Sequence, residues 1–82
     1  MKKEEIEKKV NDIIVDKLRV SNDDVKPDAL MEDDLGADSL DAVEITLDLE
    51  REFGITISDE DMYGLTNCKV SDIYDLVNRL NK

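Results

Sequence analysis

The sequence predicts an all-α fold, a small four-helix bundle with one short helix and a long first loop. Apolar residues recur at helical spacing along the chain, turn formers fill the gaps, and Ile55-Thr56-Ile57, the one stretch with strand character, has no convincing second strand to pair with. At 82 residues the chain is expected to form one domain over residues 1–82, because so short a polypeptide closes only one modest core. Two Tyr, one Phe and no Trp leave Ile, Val and Leu to fill that core.

Ile6, Val10, Ile13, Ile14 and Leu18 follow one another at spacings of four, three, one and four, which predicts an amphipathic helix over residues 3–19. Lys2, Lys3, Glu4, Glu5, Lys8 and Lys9 form its wet face. From Val20 to Asp38 the periodicity fails among Ser21-Asn22-Asp23-Asp24, Pro27, Asp33-Asp34 and Gly36. A connection this long in a small domain usually carries function, and Val25, Leu30, Met31 and Leu35 are expected to pin it across the bundle.

The second helix is predicted over residues 39–53, with Leu40, Val43, Leu47 and Phe53 near one apolar stripe and Ile45 and Leu49 widening it. Asp38 or Ser39 is its N-cap, and Gly54 ends it. Asp41, Glu44, Asp48 and Glu52 recur at three and four and form one acidic ridge. Like charges so spaced destabilise an isolated helix by a few tenths of a kcal/mol per pair, which suggests a partner or screening cations for that ridge, Asp48 included.

Ile55 and Ile57 are expected to plug the core from a loop. Ser58 before Asp59-Glu60-Asp61 reads as the start of a short third helix reaching about Tyr63 and stopped by Gly64. Val70, Ile73, Tyr74, Val77 and Leu80 predict a last helix near residues 70–81, with Arg79 and Lys82 at its negative end.

Composition excludes several function classes. The chain has no histidine and one cysteine, so it lacks the commonest general base, any Ser-His-Asp or Cys-His arrangement, and the ligands of a structural zinc site. Catalysis is therefore not expected. Asp59, Asp61, Tyr63 and Gly64 fall on positions one, three, five and six of a calcium loop, but Val70 occupies the twelfth, where a bidentate Glu is needed. No specific metal site is expected. Cys68, beside Lys69, has no base to activate it, although the neighbouring cation is expected to lower its pKa slightly. No apolar run approaches a membrane span and no secretory signal is visible, so a cytoplasmic location is expected.

The net charge of −11 is unevenly placed. Residues 20–61 carry 15 acidic side chains against Lys26 and Arg51, a net of −13, while the flanking segments are close to neutral. Such a surface repels nucleic acid and anionic lipid and steers toward a basic protein patch.

Ser39 stands out within Leu35-Gly36-Ala37-Asp38-Ser39-Leu40-Asp41. A hydroxyl at a loop-to-helix boundary places anything esterified to it before unpaired backbone N–H groups and the positive end of the helix dipole. A serine opening a helix is also explained as a cap.

The wider context resembles the acyl carrier protein family. The resemblance rests on Asp38-Ser39-Leu40, preceded by Asp34-Leu35-Gly36-Ala37 and followed by Asp41-Ala42-Val43-Glu44, then Leu49-Glu50-Arg51-Glu52-Phe53-Gly54 and Ile57-Ser58-Asp59-Glu60, and it spans essentially the whole chain. It implies a stand-alone carrier that receives 4′-phosphopantetheine from coenzyme A on Ser39 through a separate transferase. The arm's thiol then holds acyl groups as thioesters for fatty-acid or related biosynthetic enzymes. Asp38, Asp41 and Glu44 match positions at the face read by basic patches on partner enzymes, and Leu40 and Leu47 match apolar positions of the same surface. A monomer is expected. Two other readings stand beside this one: a carrier of aminoacyl or polyketide intermediates, and an acidic helical interaction module in which Ser39 is only a cap.

Overall fold

A computed structural model of the chain describes residues 2–81. Among them are four α-helices, α1 (Lys3–Leu18), α2 (Ser39–Phe53), α3 (Asp59–Gly64) and α4 (Val70–Leu80), with one 3-10 turn at Asn22–Asp24. The predicted helix boundaries hold to within a residue or so. Lys82, expected at the negative end of α4, lies outside the described residues.

Each helix is delimited by local chemistry. Glu4 and Glu5 lie in the first turn of α1, where the dipole favours them, and α1 ends at Arg19 in the left-handed conformation, φ 55°. Asp38 and Asp41 form a reciprocal capping box on α2: Asp41 N–H donates to Asp38 Oδ1 at 2.9 Å, and Asp38 N–H donates to Asp41 Oδ2 at 3.1 Å. Gly54, φ 65°, closes α2 in the left-handed region that favours glycine. Ser58 Oγ accepts from Asp61 N–H to start α3, and Asp72 Oδ2 accepts from Lys69 N–H to start α4. Gly64 is the last residue of α3, not a left-handed stop after it.

α1 lies between α2 and α4. Ile6, Val10 and Ile14 of α1 meet Ile45 and Leu49 of α2 and Ile73 and Val77 of α4 in an almost wholly aliphatic core. Ile13 and Leu18 flank it, partly buried. Removing this much apolar surface from water is the main favourable contribution to folding, at roughly 25 cal/mol per Å2. Two polar groups are absorbed inside: the Thr46 hydroxyl donates to the Ala42 carbonyl at 2.8 Å, and the Tyr74 hydroxyl donates to Asn11 Oδ1, joining α4 to α1.

The long loop is ordered, as expected, and Val25, Met31 and Leu35 pin it, joined by Ala29 and Ala37. Leu30 is only partly buried, because its backbone is used instead: Leu30 and Lys69 form an isolated antiparallel bridge. Met31 N–H donates to the Cys68 carbonyl at 2.9 Å and Val70 N–H to the Ala29 carbonyl at 3.0 Å. Ile57 plugs the core from the α2–α3 connection, and Glu50 fixes it there by accepting the Ile57 N–H at 2.8 Å.

Two readings of α2 are corrected. Leu40, Val43 and Leu47, expected on the core stripe, are exposed, and the buried face is Ala42, Ile45, Thr46, Leu49 and Phe53. Both sets have helical spacing, so periodicity alone could not choose between them. The four-residue acidic ridge is also divided: Asp48 and Glu52 turn toward α1, where they meet Lys17 and Lys9, each at 3.2 Å. The repulsion inferred along that ridge is thus partly offset by lysines from another helix.

Candidate functional site

Ser39 is the first helical residue of α2 and is exposed. The cap belongs to Asp38, which precedes it, so the interaction-module reading loses its premise that Ser39 is the cap. As the first helical residue, Ser39 has its N–H and that of Leu40 in a turn where no carbonyl lies one turn back to receive them. Gly36, φ 75°, reverses the chain just before the helix, and Ala37 N–H donates to the Met31 carbonyl at 2.9 Å. The serine is therefore delivered by a loop whose backbone is fixed on one side and by a capped helix on the other.

Beside Ser39, α2 and α3 enclose a small, largely apolar cavity of about 110 Å3 lined by Ser39, Ala42, Val43, Met62, Tyr63 and Thr66. Larger depressions elsewhere, such as that of about 450 Å3 lined by Ile13 and by the charged Lys9, Asp12, Asp16, Asp48, Arg51 and Glu52, are more open to water and lined mostly by charged residues. The cavity at Ser39 is smaller but more enclosed and drier. α3 forms one of its walls without a single buried residue of its own. That short helix is held by its Ser58 cap, by the partly buried Met62, and by the Asp61–Arg79 ion pair at 3.2 Å.

The predicted partner-binding residues fall into two groups. Asp38, Leu40, Glu44 and Leu47 are exposed around the start and outer face of α2, and Asp41 is half-buried with one carboxylate oxygen in the capping box. Asp48 stands apart, half-buried against Lys17. The geometry thus brings together an acidic and apolar outer face next to Ser39 and removes Asp48 from it. Sequence reasoning missed Val43, Met62, Tyr63 and Thr66 as the lining of the Ser39 cavity. No local pattern marks these four as one lining, since they come from α2, α3 and the segment after α3 and meet only in the folded chain.

Cys68 is buried, and its Sγ lies 3.6 Å from the Leu65 carbonyl. Burial, reinforced by the negative charge of Asp72, pushes its thiol up to about 11. The expected lowering by Lys69 is therefore corrected: Lys69 is exposed, while desolvation acts directly on the thiol. Asp59, Asp61, Tyr63 and Gly64, aligned above with a calcium loop, are instead helical. No helix among the described residues is long and apolar enough to cross a membrane.

Comparison with known proteins agrees with this architecture. Residues 8–77 match the family described as the phosphopantetheine attachment site. The chain is 54% identical over 61 residues to the acyl carrier protein of Chlorobium phaeovibrioides, an alignment covering 74% of this chain and 78% of that protein. It is 47% identical over 72 residues to the acyl carrier protein of Nitratidesulfovibrio vulgaris, covering 88% of this chain and 92% of its relative. The chain belongs to the acyl carrier protein family, whose members bear a covalently attached 4′-phosphopantetheine.

Proposed function

We propose that this chain is a single-domain, non-catalytic carrier that receives the phosphopantetheine arm on the Ser39 hydroxyl and delivers acyl intermediates to separate biosynthetic enzymes, those of fatty-acid synthesis or a related pathway. The observation that carries this reading is the position of Ser39: exposed, first in α2, relieved of capping by Asp38, and at the edge of an apolar cavity. When bound, the arm supplies a thiol that holds an acyl group as a thioester.

The residues around Ser39 suit that group. The first-turn N–H groups and the positive end of α2 favour a phosphodiester on the serine oxygen. The cavity behind it, at about 110 Å3, is smaller than the roughly 150 Å3 apolar cavity that admits benzene, so it shelters only a short aliphatic segment as it stands. A wall with no buried residues of its own is the element that yields at least cost when more room is needed.

Asp38, Leu40, Asp41, Glu44 and Leu47 form the face that basic patches on the transferase and on acyl-transferring and acyl-modifying enzymes read, while Asp48 adds to the long-range field from its position beside Lys17. Salt-sensitive, short-lived docking suits a monomeric shuttle in the cytoplasm that must leave each enzyme after one exchange.

Intact-mass analysis after incubation with a broad-specificity phosphopantetheinyl transferase and coenzyme A tests the proposal. The wild-type chain is expected to gain one arm and Ser39→Ala none. A wild-type chain that stays unmodified, or a Ser39→Ala variant that still gains the arm, overturns it.

A further inference from the structure

We propose that Tyr63 is a partner-reading residue, an aromatic contact on α3 that extends the docking face from α2 across the Ser39 cavity to α3. The inference rests on the carrier reading of Ser39. Of the chain's aromatic residues, Phe53 and Tyr74 are buried, whereas Tyr63 is 75% exposed. An exposed ring is unusual in a protein that assigns its other two to the core. Its location is not random either, because Tyr63 lines the cavity from the α3 side while Val43 lines it from the α2 side. Leu40, 65% exposed, and Leu47, 48% exposed, continue the apolar surface along α2.

Charge defines what fits there. Asp59 and Glu60, four and three residues before Tyr63, are exposed and share its helical face, and Glu44 lies within a turn of both Leu40 and Leu47. The occupant is therefore a protein presenting an apolar cleft bordered by lysine or arginine, in which the ring enters the cleft and the carboxylates meet the basic rim. A buried tyrosine contributes a large contact area at small cost in side-chain freedom, which is why tyrosine is enriched among the residues that dominate binding energy. α2 supplies charge and aliphatic contact alone; α3 adds the aromatic anchor. A partner that engages both helices spans the cavity mouth and holds the Ser39 hydroxyl between its two points of attachment.

The test uses the intact chain as substrate for a phosphopantetheinyl transferase with coenzyme A, following modification of Ser39 by mass at varied carrier concentration. Tyr63→Ala is expected to raise KM by about fivefold or more with kcat within about twofold of wild type, and Tyr63→Phe, which keeps the ring, to restore KM to within about twofold. Tyr63→Gln, which removes the ring and retains a good helix former, should match the alanine variant and guards against a folding artefact, with far-UV circular dichroism confirming helix content. Wild-type kinetics in the alanine and glutamine variants, or a loss confined to kcat, overturns the role of Tyr63 and leaves the Ser39 assignment intact. Failure of the wild-type chain to be modified overturns the Ser39 assignment, and the role of Tyr63 falls with it.

Discussion

The Asn67 carboxamide grips Asp33 from both sides, accepting the Asp33 backbone N–H on Oδ1 at 3.4 Å and donating from Nδ2 to the Asp33 carboxylate at 3.3 Å. The same Oδ1 also receives the Glu32 N–H at 3.2 Å. Together with the Leu30–Lys69 bridge, these bonds tie the long loop to the α3–α4 connection 34 residues away, just before the loop delivers Ser39 to α2.

Asn67→Ala should therefore loosen the loop without touching the core. Exposed bonds of this kind are worth about 0.5–1.5 kcal/mol each at most, and their combined loss is expected to be about 1–2 kcal/mol. Thermal unfolding should fall by roughly 4–8 °C for each kcal/mol lost, and amide exchange at Glu32 and Asp33 should quicken while that of Leu49 and Val77 changes only with global stability. Unchanged exchange at Glu32 and Asp33 would count against the clamp.

Capping separates Asp38 from Ser39. Asp38→Ala removes the acceptor for the Asp41 N–H and is expected to cost about 1 kcal/mol, whereas Ser39→Ala, which removes no cap, should change stability by less than about 0.5 kcal/mol. Urea midpoints of the two variants measure the difference, and a larger loss for Ser39→Ala than for Asp38→Ala would contradict the assigned cap.

Left-handed residues at two helix ends give opposite outcomes. Gly54→Ala meets no steric obstacle but must hold φ near 65°, so it is expected to destabilise by about 1 kcal/mol. Arg19 already holds φ 55° as a side-chain-bearing residue, and Arg19→Gly is expected to stabilise by about 0.5–1 kcal/mol. Calorimetry of the pair should show melting temperatures moving in opposite directions.

Cys68 and Tyr74 make the fold sensitive to alkali. Both protons are held more tightly in the folded chain than in the unfolded one, chiefly through burial, so both contribute stability that is complete below their ordinary pKa values and is lost as pH rises past them. For Cys68 the window runs from its ordinary value of 9.0 to about 11. Stability to urea should be flat from pH 7 to 8 and decline through that window, with a shallower decline in Cys68→Ser. Below it, the native thiol should react with Ellman's reagent far more slowly than the unfolded chain, so that rapid colour reports only a thiol carried on an arm.

Self-repulsion sets the response to salt. The ion pairs Lys8–Asp12, Lys9–Glu52, Lys17–Asp48 and Arg79–Asp61 engage only four of the 22 acidic side chains and leave the net charge at −11, and pairs at or near the surface contribute little. Screening should therefore remove more repulsion than attraction. The melting temperature is expected to rise with added sodium chloride and, at lower concentration, with magnesium chloride. A falling melting temperature would show that the ion pairs outweigh the repulsion.

Helix positions and caps were legible because they depend on neighbours in sequence: the Ile6-Val10-Ile14 stripe, Gly54 after Phe53 and Ser58 before Asp59 are all local signals. The motif around Ser39 was legible for the same reason. The outward face of α2 was not, since Leu40-Val43-Leu47 and Ala42-Ile45-Leu49 have equal claim to the core by spacing, and only docking against α1 and α4 buries one set.

The order of residues thus determined by itself the four helices, the acidic middle of the chain, the lack of histidine-based chemistry and the place of a single hydroxyl at a helix start. Tertiary structure alone decided that Asp48 turns to Lys17, that Cys68 is sealed from solvent, and that Tyr63 faces water across a cavity from Val43. The physical reason is range. Backbone propensity and capping act within a turn or two, whereas burial, ion pairing and cavity shape depend on which surfaces meet after the chain has closed on itself.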